Sequence, residues 1–393
     1  MRRVVAVGVL LGLWLSPGPS PGARALAQPA TSVPPPSLTA SGAVLWDPAD
    51  EVALFGKEAD VARPMASTTK IMTVLLALEA GAADGELTVS AHAAEVGATP
   101  GGATLGLSAG QRIGVRSVLA GLVLRSGNDA AVAVAEHVAG SEQAFVDRMN
   151  ARARQLGLAQ TQFRNASGLT DDPEHRSSPI DLARLAAVAM AHPDFAAWAG
   201  ATSLDVPGLG TLENRNELLG RYPGATGVKT GFTTLAGLCL VASAARDGRT
   251  LYAVVLDSDD SFADTTLLLD HGFGAFRRPE PVPQGGVATR YRWAGADVGL
   301  VTAAPLARTV GVDAVVTWRT RVEPAAARPV AAGARLGQAE LVVDGVVERT
   351  VDLLAEAGVP APEAPRAPAA RAGAAVADAV RSFARLAAFD RAA

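Results

Sequence analysis

Two apolar runs on either side of a tight turn constrain this chain more than any other feature. Gly237-Leu238-Cys239-Leu240-Val241-Ala242-Ser243 and the run 250–256 flank Arg246-Asp247-Gly248-Arg249. Short apolar runs bounded by such turn residues read as strands, and the short turn makes them antiparallel neighbours. A hairpin of two central strands is expected. A second hairpin is expected over 43–55, around Asp47-Pro48-Ala49-Asp50. Between them the period changes to that of helices. Ile71, Val74, Leu75 and Leu78 recur at helical spacing, so a helix is expected over 67–80, ended by Gly81. Further helices are expected over 115–124, 130–138, 142–156, 179–190 and 264–276, with Pro179 in the first turn of its helix. This is the pattern of an α+β domain, an antiparallel sheet with a helical cluster, over 41–277. A composition shift at Arg277-Arg278-Pro279-Glu280-Pro281 follows. Beyond it, short apolar runs at 298–302, 314–318, 339–343 and 346–351 predict a small all-β domain over 281–358, built as a sandwich.

The N-terminal residues read as an export signal. Arg2 and Arg3 precede an apolar run from Val4 to Leu15, too short to span a bilayer. Pro17 and Pro19 break it, and Ala25-Leu26-Ala27 suits cleavage before Gln28. Residues 1–27 are therefore expected to be a signal peptide, 28–40 a proline-rich linker, and the protein to be exported to the periplasm or the extracytoplasmic face of the envelope. Cleavage removes three arginines and no acid, moving the net charge from −4 to −7. A nucleic-acid partner does not suit such a charge. Cys239 is the single cysteine, so no internal disulfide can form and stability must come from the core. Its apolar run makes it a buried strand residue rather than a catalytic thiol.

Lysine usage points to the chemistry. There are only three lysines, Lys57, Lys70 and Lys229, and arginine does nearly all other cationic work. Arginine cannot serve as a proton acceptor, but a lysine with a lowered pKa can. Ser67-Thr68-Thr69-Lys70 places a hydroxyl and an amine one helical turn apart, on one face. A serine needs such a base to become a nucleophile. With 19 serines and three lysines, chance alone gives roughly 0.15 such spacings, so this motif needs company. Ser126-Gly127-Asn128 lies in a turn between two helices; it suits a proton relay and a substrate-orienting amide, or ordinary turn chemistry. Lys229-Thr230-Gly231 enters a strand that a substrate backbone can pair with; the glycine permits close approach, while the threonine and lysine suit a carboxylate. No cofactor or metal is expected, since the five histidines lack metal-ligand spacing.

Together, and in this order, the three motifs are those of penicillin-binding proteins and serine β-lactamases. The chain resembles the low-molecular-weight penicillin-binding proteins that are serine-type D-alanyl-D-alanine carboxypeptidases, from about Ser41 to Phe276. The likeness includes Pro64 to Thr73, Ser126 to Ala131, Asn165-Ala166-Ser167-Gly168-Leu169, Asn214-Arg215-Asn216 and Gly227 to Thr233. The resemblance implies that Ser67 is acylated, Lys70 is its base, and Ser126 and Lys229 move or polarise protons. It implies that Asn128 holds the substrate, and that Thr230, with Arg215, binds the terminal carboxylate. Gly231 lets the substrate approach, and the backbone N–H groups of Ser67 and Phe232 form the oxyanion hole. Many relatives carry histidine where Phe232 stands, which alters side-chain contacts but not the backbone donor. Peptidoglycan stem peptides would be the substrate and β-lactams covalent inhibitors.

Three other readings share these residues: a D,D-endopeptidase on crosslinked peptides, a β-lactamase, and a catalytically silent wall-binding protein. A β-lactamase needs a deacylating carboxylate, and no Glu-x-x-x-Asn segment occurs over 150–180; Glu174 has Ser178 at that place. The Ala/Pro/Arg tail, 359–393, keeps two readings. Val376, Val380, Phe383 and Ala387 fall on one helical face, and four arginines there exceed two aspartates, as in a helix lying on an anionic membrane. Few large apolar groups on that face suit an unanchored tail instead. Sedimentation with anionic vesicles at low salt separates them: anchoring predicts that the mature protein sediments and a variant ending at Pro365 does not.

Overall fold

The computed structural model describes residues 28–293, 296–323 and 329–359. The expected signal peptide lies outside the described residues, and so does the expected tail, including the stretch 374–388, except for Val359, which pairs with Val330 and is buried in the second unit. The described residues divide into two units, one of 28–278 together with 309–314, the other of 279–308 and 315–359.

The first unit is built on five antiparallel strands: β1 (Gly42–Asp47), β2 (Val52–Lys57), β3 (Ala225–Thr233), β4 (Gly237–Arg246) and β5 (Arg249–Ser258), in the order β2-β1-β5-β4-β3. Both sequence hairpins are present, and Asp247-Gly248 closes β4 onto β5 with Arg246 facing Arg249. Successive side chains of a strand point to opposite faces. Here each face meets a core. Val44, Trp46, Val241, Tyr252 and Val254 enter one cluster, while Ala43, Leu45, Leu240, Ala242, Leu251 and Ala253 enter the other. That is why these strands show no polar alternation. β3, which carries Lys229-Thr230-Gly231, is one of the two edge strands. Lys229 lies in its middle, because the strand already starts at Ala225.

The first cluster is shared with the helices α1 (Lys70–Glu79), α2 (Ala91–Gly97), α3 (Val115–Arg125), α4 (Asn128–Ala139), α5 (Glu142–Gln155), α6 (Pro179–Met190) and α7 (Pro193–Gly200). In α1 every residue from Lys70 to Leu78 except Leu76 is buried, the mark of a helix surrounded by protein. α1 begins one turn later than the periodicity suggests. Ala66–Thr69, which includes Ser67, forms a 3₁₀ turn leading into it. α2 and α7 escaped the sequence reading because they are short. The other face of the sheet is covered by α8 (Ser261–Ala275) and by the segment before β1.

Residues 28–40 are not a free linker. Val33 and Leu38 pack on the second core, and Ala40 is buried. Residues 309–314, expected with the β-rich segment, belong to the first unit: Val310 and Gly311 pair with Arg277 and Phe276, and Thr309 bonds to Asp47 and Asp50. The second unit is one five-stranded antiparallel sheet of β6 (Val287–Trp293), β7 (Ala296–Thr302), β8 (Val316–Val322), β9 (Arg335–Val343) and β10 (Val346–Ala355), in the order β6-β7-β10-β9-β8. Its edge strands β6 and β8 approach each other, so the sheet curls around its own core of Val298, Leu300, Leu341 and Leu353. A curled single sheet thus stands in place of the expected sandwich. Among the described residues no helix is long and apolar enough to cross a membrane.

Asp264 ties the N-terminal segment to α8. Its carboxylate accepts hydrogen bonds from the backbone N–H groups of Thr39 and Ala40 and from the hydroxyls of Thr39 and Ser258, all within 3.1 Å. Burial alone would raise this carboxyl, but these donors outweigh it and hold it below the ordinary range. A carboxylate depressed in the folded state contributes stability above its unfolded pKa, about 3.9. That contribution is lost as pH falls through the folded value. Asp264→Asn should therefore lower stability at pH 7 by roughly 1–3 kcal/mol and flatten acid unfolding below about pH 4. Urea titrations at pH 7 and pH 3 would check both.

Candidate active site

The site is assembled around a buried amine. Lys70 starts α1 and is 1% exposed. Its Nζ donates to Ser67 Oγ (2.9 Å), to Asn128 Oδ1 (2.8 Å) and to the Ser167 carbonyl (2.6 Å). Burial lowers its pKa well below that of an ordinary lysine, and the nearby positive charges of Lys229 and Arg215 lower it further; Asp129 pulls the other way. An ammonium has only donors, so the amide of Asn128 must present its oxygen to Lys70. The Asn128 Nδ2 then lies by Gly102, on the cleft side.

Each partner is held from behind. Asn128 is the first residue of α4, and its N–H donates to Ala103 O (2.8 Å). The fully buried Asp129 accepts from Leu105 N, Leu107 N and Thr104 Oγ1, which fixes the 101–107 loop on the cleft. Asn165 Oδ1 accepts from Ser167 N and Gly168 N, shaping the turn that presents the Ser167 carbonyl. Thr73 Oγ1 anchors the same turn through Ala166 O (2.6 Å). Ser126 caps α3 in a left-handed conformation, φ +68°. Its hydroxyl is buried and has no hydrogen-bond partner among the described residues, and Ser126 lines the cleft with Ser67.

Two close approaches set the position of Ser67. A Cβ on Gly231 would lie 3.1 Å from Ser67 N and 3.2 Å from Met65 O, so a larger residue crowds the serine turn and makes it or β3 give by a few tenths of an ångström. A Cβ on Gly168, where φ is +78°, would fall 2.0 Å from Ala66 O. The cleft encloses about 270 Å³, and besides Ser67, Ser126 and Asn128 its walls include Arg215, Thr230, Gly231 and Phe232. Phe232 is exposed on the rim. Lys229 is 2% exposed; burial and the charge of Arg215 lower it to about 7. The third lysine, Lys57, bonds to Leu38 O and takes no part.

All nine residues singled out from the sequence therefore belong to one locality. Asp129, the Ser167 carbonyl and the spacing role of Gly168 were missed. Asp129 stood beside a quoted motif with nothing to mark it as buried, and a backbone carbonyl carries no signature in sequence. Cys239 is buried in β4, and burial pushes its thiol up to about 12, far from reactivity.

The fold and the two-lysine cleft define a penicillin-binding serine hydrolase. The peptidase S11 family, D-alanyl-D-alanine carboxypeptidase, matches residues 29–260, and the chain belongs to that family. It is 37% identical to the D-alanyl-D-alanine carboxypeptidase DacF of Bacillus subtilis over 247 residues, 60% of this chain and 63% of the relative's length. It is 38% identical to DacB2 of Mycobacterium tuberculosis over 257 residues, 63% of this chain and 86% of that protein. Among solved structures, penicillin-binding protein 5 of Haemophilus influenzae aligns with a TM-score of 0.68 at 27% identity, covering 84% of this chain and all of the other. The Streptomyces K15 DD-transpeptidase aligns with a TM-score of 0.58 at 31% identity, covering 61% of this chain and 99% of the other.

The Lys229 shift carries a stability cost of known sign. An unfolded lysine titrates near 10.4, the folded one at about 7. Between those values the unfolded chain binds the extra proton, so stability rises with pH across the window, and the cost of charging is full below pH 7. Lys229→Met should show a shallower rise between pH 7 and 10 and a higher melting temperature at pH 6. Unchanged slopes in the two proteins would show that Lys229 titrates normally.

Proposed function

We propose that this chain is a serine-type D-alanyl-D-alanine carboxypeptidase that removes the terminal D-alanine of peptidoglycan stem peptides through an acyl-Ser67 intermediate. The observation that carries the assignment is the 2.9 Å contact between Lys70 Nζ and Ser67 Oγ on a lysine that burial drives toward neutrality. Once the ammonium has lost its proton, the amine has two N–H groups and one lone pair. Asn128 Oδ1 and the Ser167 carbonyl take the two N–H groups, which leaves the lone pair for the Ser67 hydroxyl proton. Ser67 then attacks the penultimate D-alanyl carbonyl, and the backbone N–H groups of Ser67 and Phe232 receive the oxyanion. Ser126, its hydroxyl unpartnered among the described residues, relays the proton toward the departing D-alanine nitrogen, with Lys229 polarising that path. Thr230 and Arg215 bind the free carboxylate, and Asn128 Nδ2 holds the peptide. Water completes hydrolysis of the acyl-enzyme.

Family members act on peptidoglycan peptides and bind β-lactams, which suits an extracytoplasmic enzyme that β-lactams acylate at Ser67. Peripheral membrane contact through residues 371–393 belongs to the same proposal. The β-lactamase reading loses support, because no acidic side chain among the described residues lines the cleft to activate deacylating water. Glu174 is exposed and pairs with Arg176.

Labelling with a fluorescent penicillin and release of D-alanine from a diacyl peptide ending in D-Ala-D-Ala test the assignment together. Ser67→Ala should abolish both, and Lys70→Arg should come close, since it keeps the charge but not the proton acceptor. Thr230→Val should slow peptide turnover about 10-fold or more while sparing acylation by an ester without a free carboxylate. Stoichiometric labelling of Ser67→Ala would sink the assignment, and cleavage confined to crosslinked dimers would make the enzyme an endopeptidase.

A further inference from the structure

A buried histidine outside the proposed catalytic set reaches the serine turn through a short chain of hydrogen bonds. His175 is 1% exposed and lies between the Asn165–Leu169 turn and α6 in sequence. Its Nδ1 accepts from the backbone N–H of Arg164 (3.0 Å), and its Nε2 lies 2.7 Å from Thr69 Oγ1. Thr69 Oγ1 in turn donates to the Ala66 carbonyl (2.7 Å). These bonds admit one set of roles. The Arg164 N–H can only donate, so Nδ1 carries a lone pair and the proton sits on Nε2. Thr69 has one hydroxyl proton, which goes to Ala66 O, so it accepts from Nε2–H.

The chain ends on a peptide plane that matters. The Ala66 C=O and the Ser67 N–H belong to one trans peptide and point in opposite directions. Fixing the carbonyl therefore fixes the direction of the N–H. The Gly168 backbone walls the carbonyl on one side, and Ser67 N faces Gly231 of β3 at the other end. Ala66 itself is left-handed, φ +47°, a conformation that a residue with a Cβ keeps only when its surroundings impose it.

Resting on the acyl-Ser67 reading, we infer that His175 and Thr69 are positioning residues that orient the Ser67 N–H as an oxyanion donor through the Ala66–Ser67 peptide. The surroundings keep His175 in the neutral form the relay requires. Burial lowers it and, against the pull of Asp172, the charges of Lys70 and Arg164 lower it further, to about 4. Phe163 packs edge-on against the ring. Neither residue touches substrate in this arrangement.

The test uses two acyl donors of identical structure except for C=O or C=S at the reacting carbon, since sulfur is the poorer acceptor for an oxyanion hole. Acylation rates are measured for the wild-type protein, Thr69→Val, Thr69→Ser and His175→Gln. Wild type should favour the oxo donor strongly. Thr69→Val should lose about 10-fold or more on the oxo donor and much less on the thiono donor, so the ratio shrinks. His175→Gln should shift the ratio in the same direction, and Thr69→Ser, which keeps the hydroxyl, should restore it. Equal losses on both donors, or none, would reduce Thr69 and His175 to packing. Nitrogen-15 NMR of the unmodified protein gives an independent check: the Nε2–H tautomer of His175 is required, and Nδ1–H overturns the relay even if a variant fails to fold. A wild-type protein inert to the oxo donor, or a Ser67→Ala variant that is acylated, removes the parent reading and this inference together. An active wild type with an unshifted ratio removes the inference alone.

Discussion

An almost fully buried amine organises the first unit. Lys70 is enclosed by protein, and an isolated ammonium there would be costly unless every N–H found an acceptor. The three acceptors come from three different places: the serine turn, the start of α4 and the Asn165–Leu169 turn. Meeting that requirement brings together segments up to 97 residues apart. The same enclosure lowers the lysine pKa, so one constraint supplies both architecture and reactivity.

The surrounding polar groups serve that arrangement more than they serve global stability. Asp129 is buried near the lysines, yet its hydrogen bonds go to the 101–107 loop and to the Ala130 N–H rather than to a cation. Ser126 keeps a buried hydroxyl without a partner among the described residues, and Ala66 and Ser126 both hold left-handed backbones. Groups of this kind lower stability unless something else compensates, and they gather at functional sites for that reason. The compensation lies in the two apolar cores on either side of the central sheet, with no disulfide to assist.

Much of this was legible beforehand. The strands on both sides of Asp247-Gly248 and the buried helix after Ser67 announce themselves by period and by turn residues. The scarcity of lysine singled out Lys70 and Lys229, since any surface charge could have been arginine. The second unit was legible as all-β but not in its form, because alternating short strands suit a curled sheet as well as a sandwich. The docking of 28–40 was hidden, as a proline-rich stretch looks like a linker until Asp264 is seen to accept its N–H groups.

The sequence by itself determined which residues are chemically able to act: a serine one turn from a lysine, a Ser-Gly-Asn turn and a Lys-Thr-Gly strand. It also determined the elements that carry them, because local periodicity and turn chemistry act over a few residues. Tertiary structure alone decided that Lys70 and Lys229 are enclosed, which backbone carbonyl receives Lys70, and how closely Gly231 and Gly168 must approach the serine turn. Those features depend on distances between segments far apart in the chain. Desolvation, which sets the amine's pKa, belongs to the packed environment and not to the residue type.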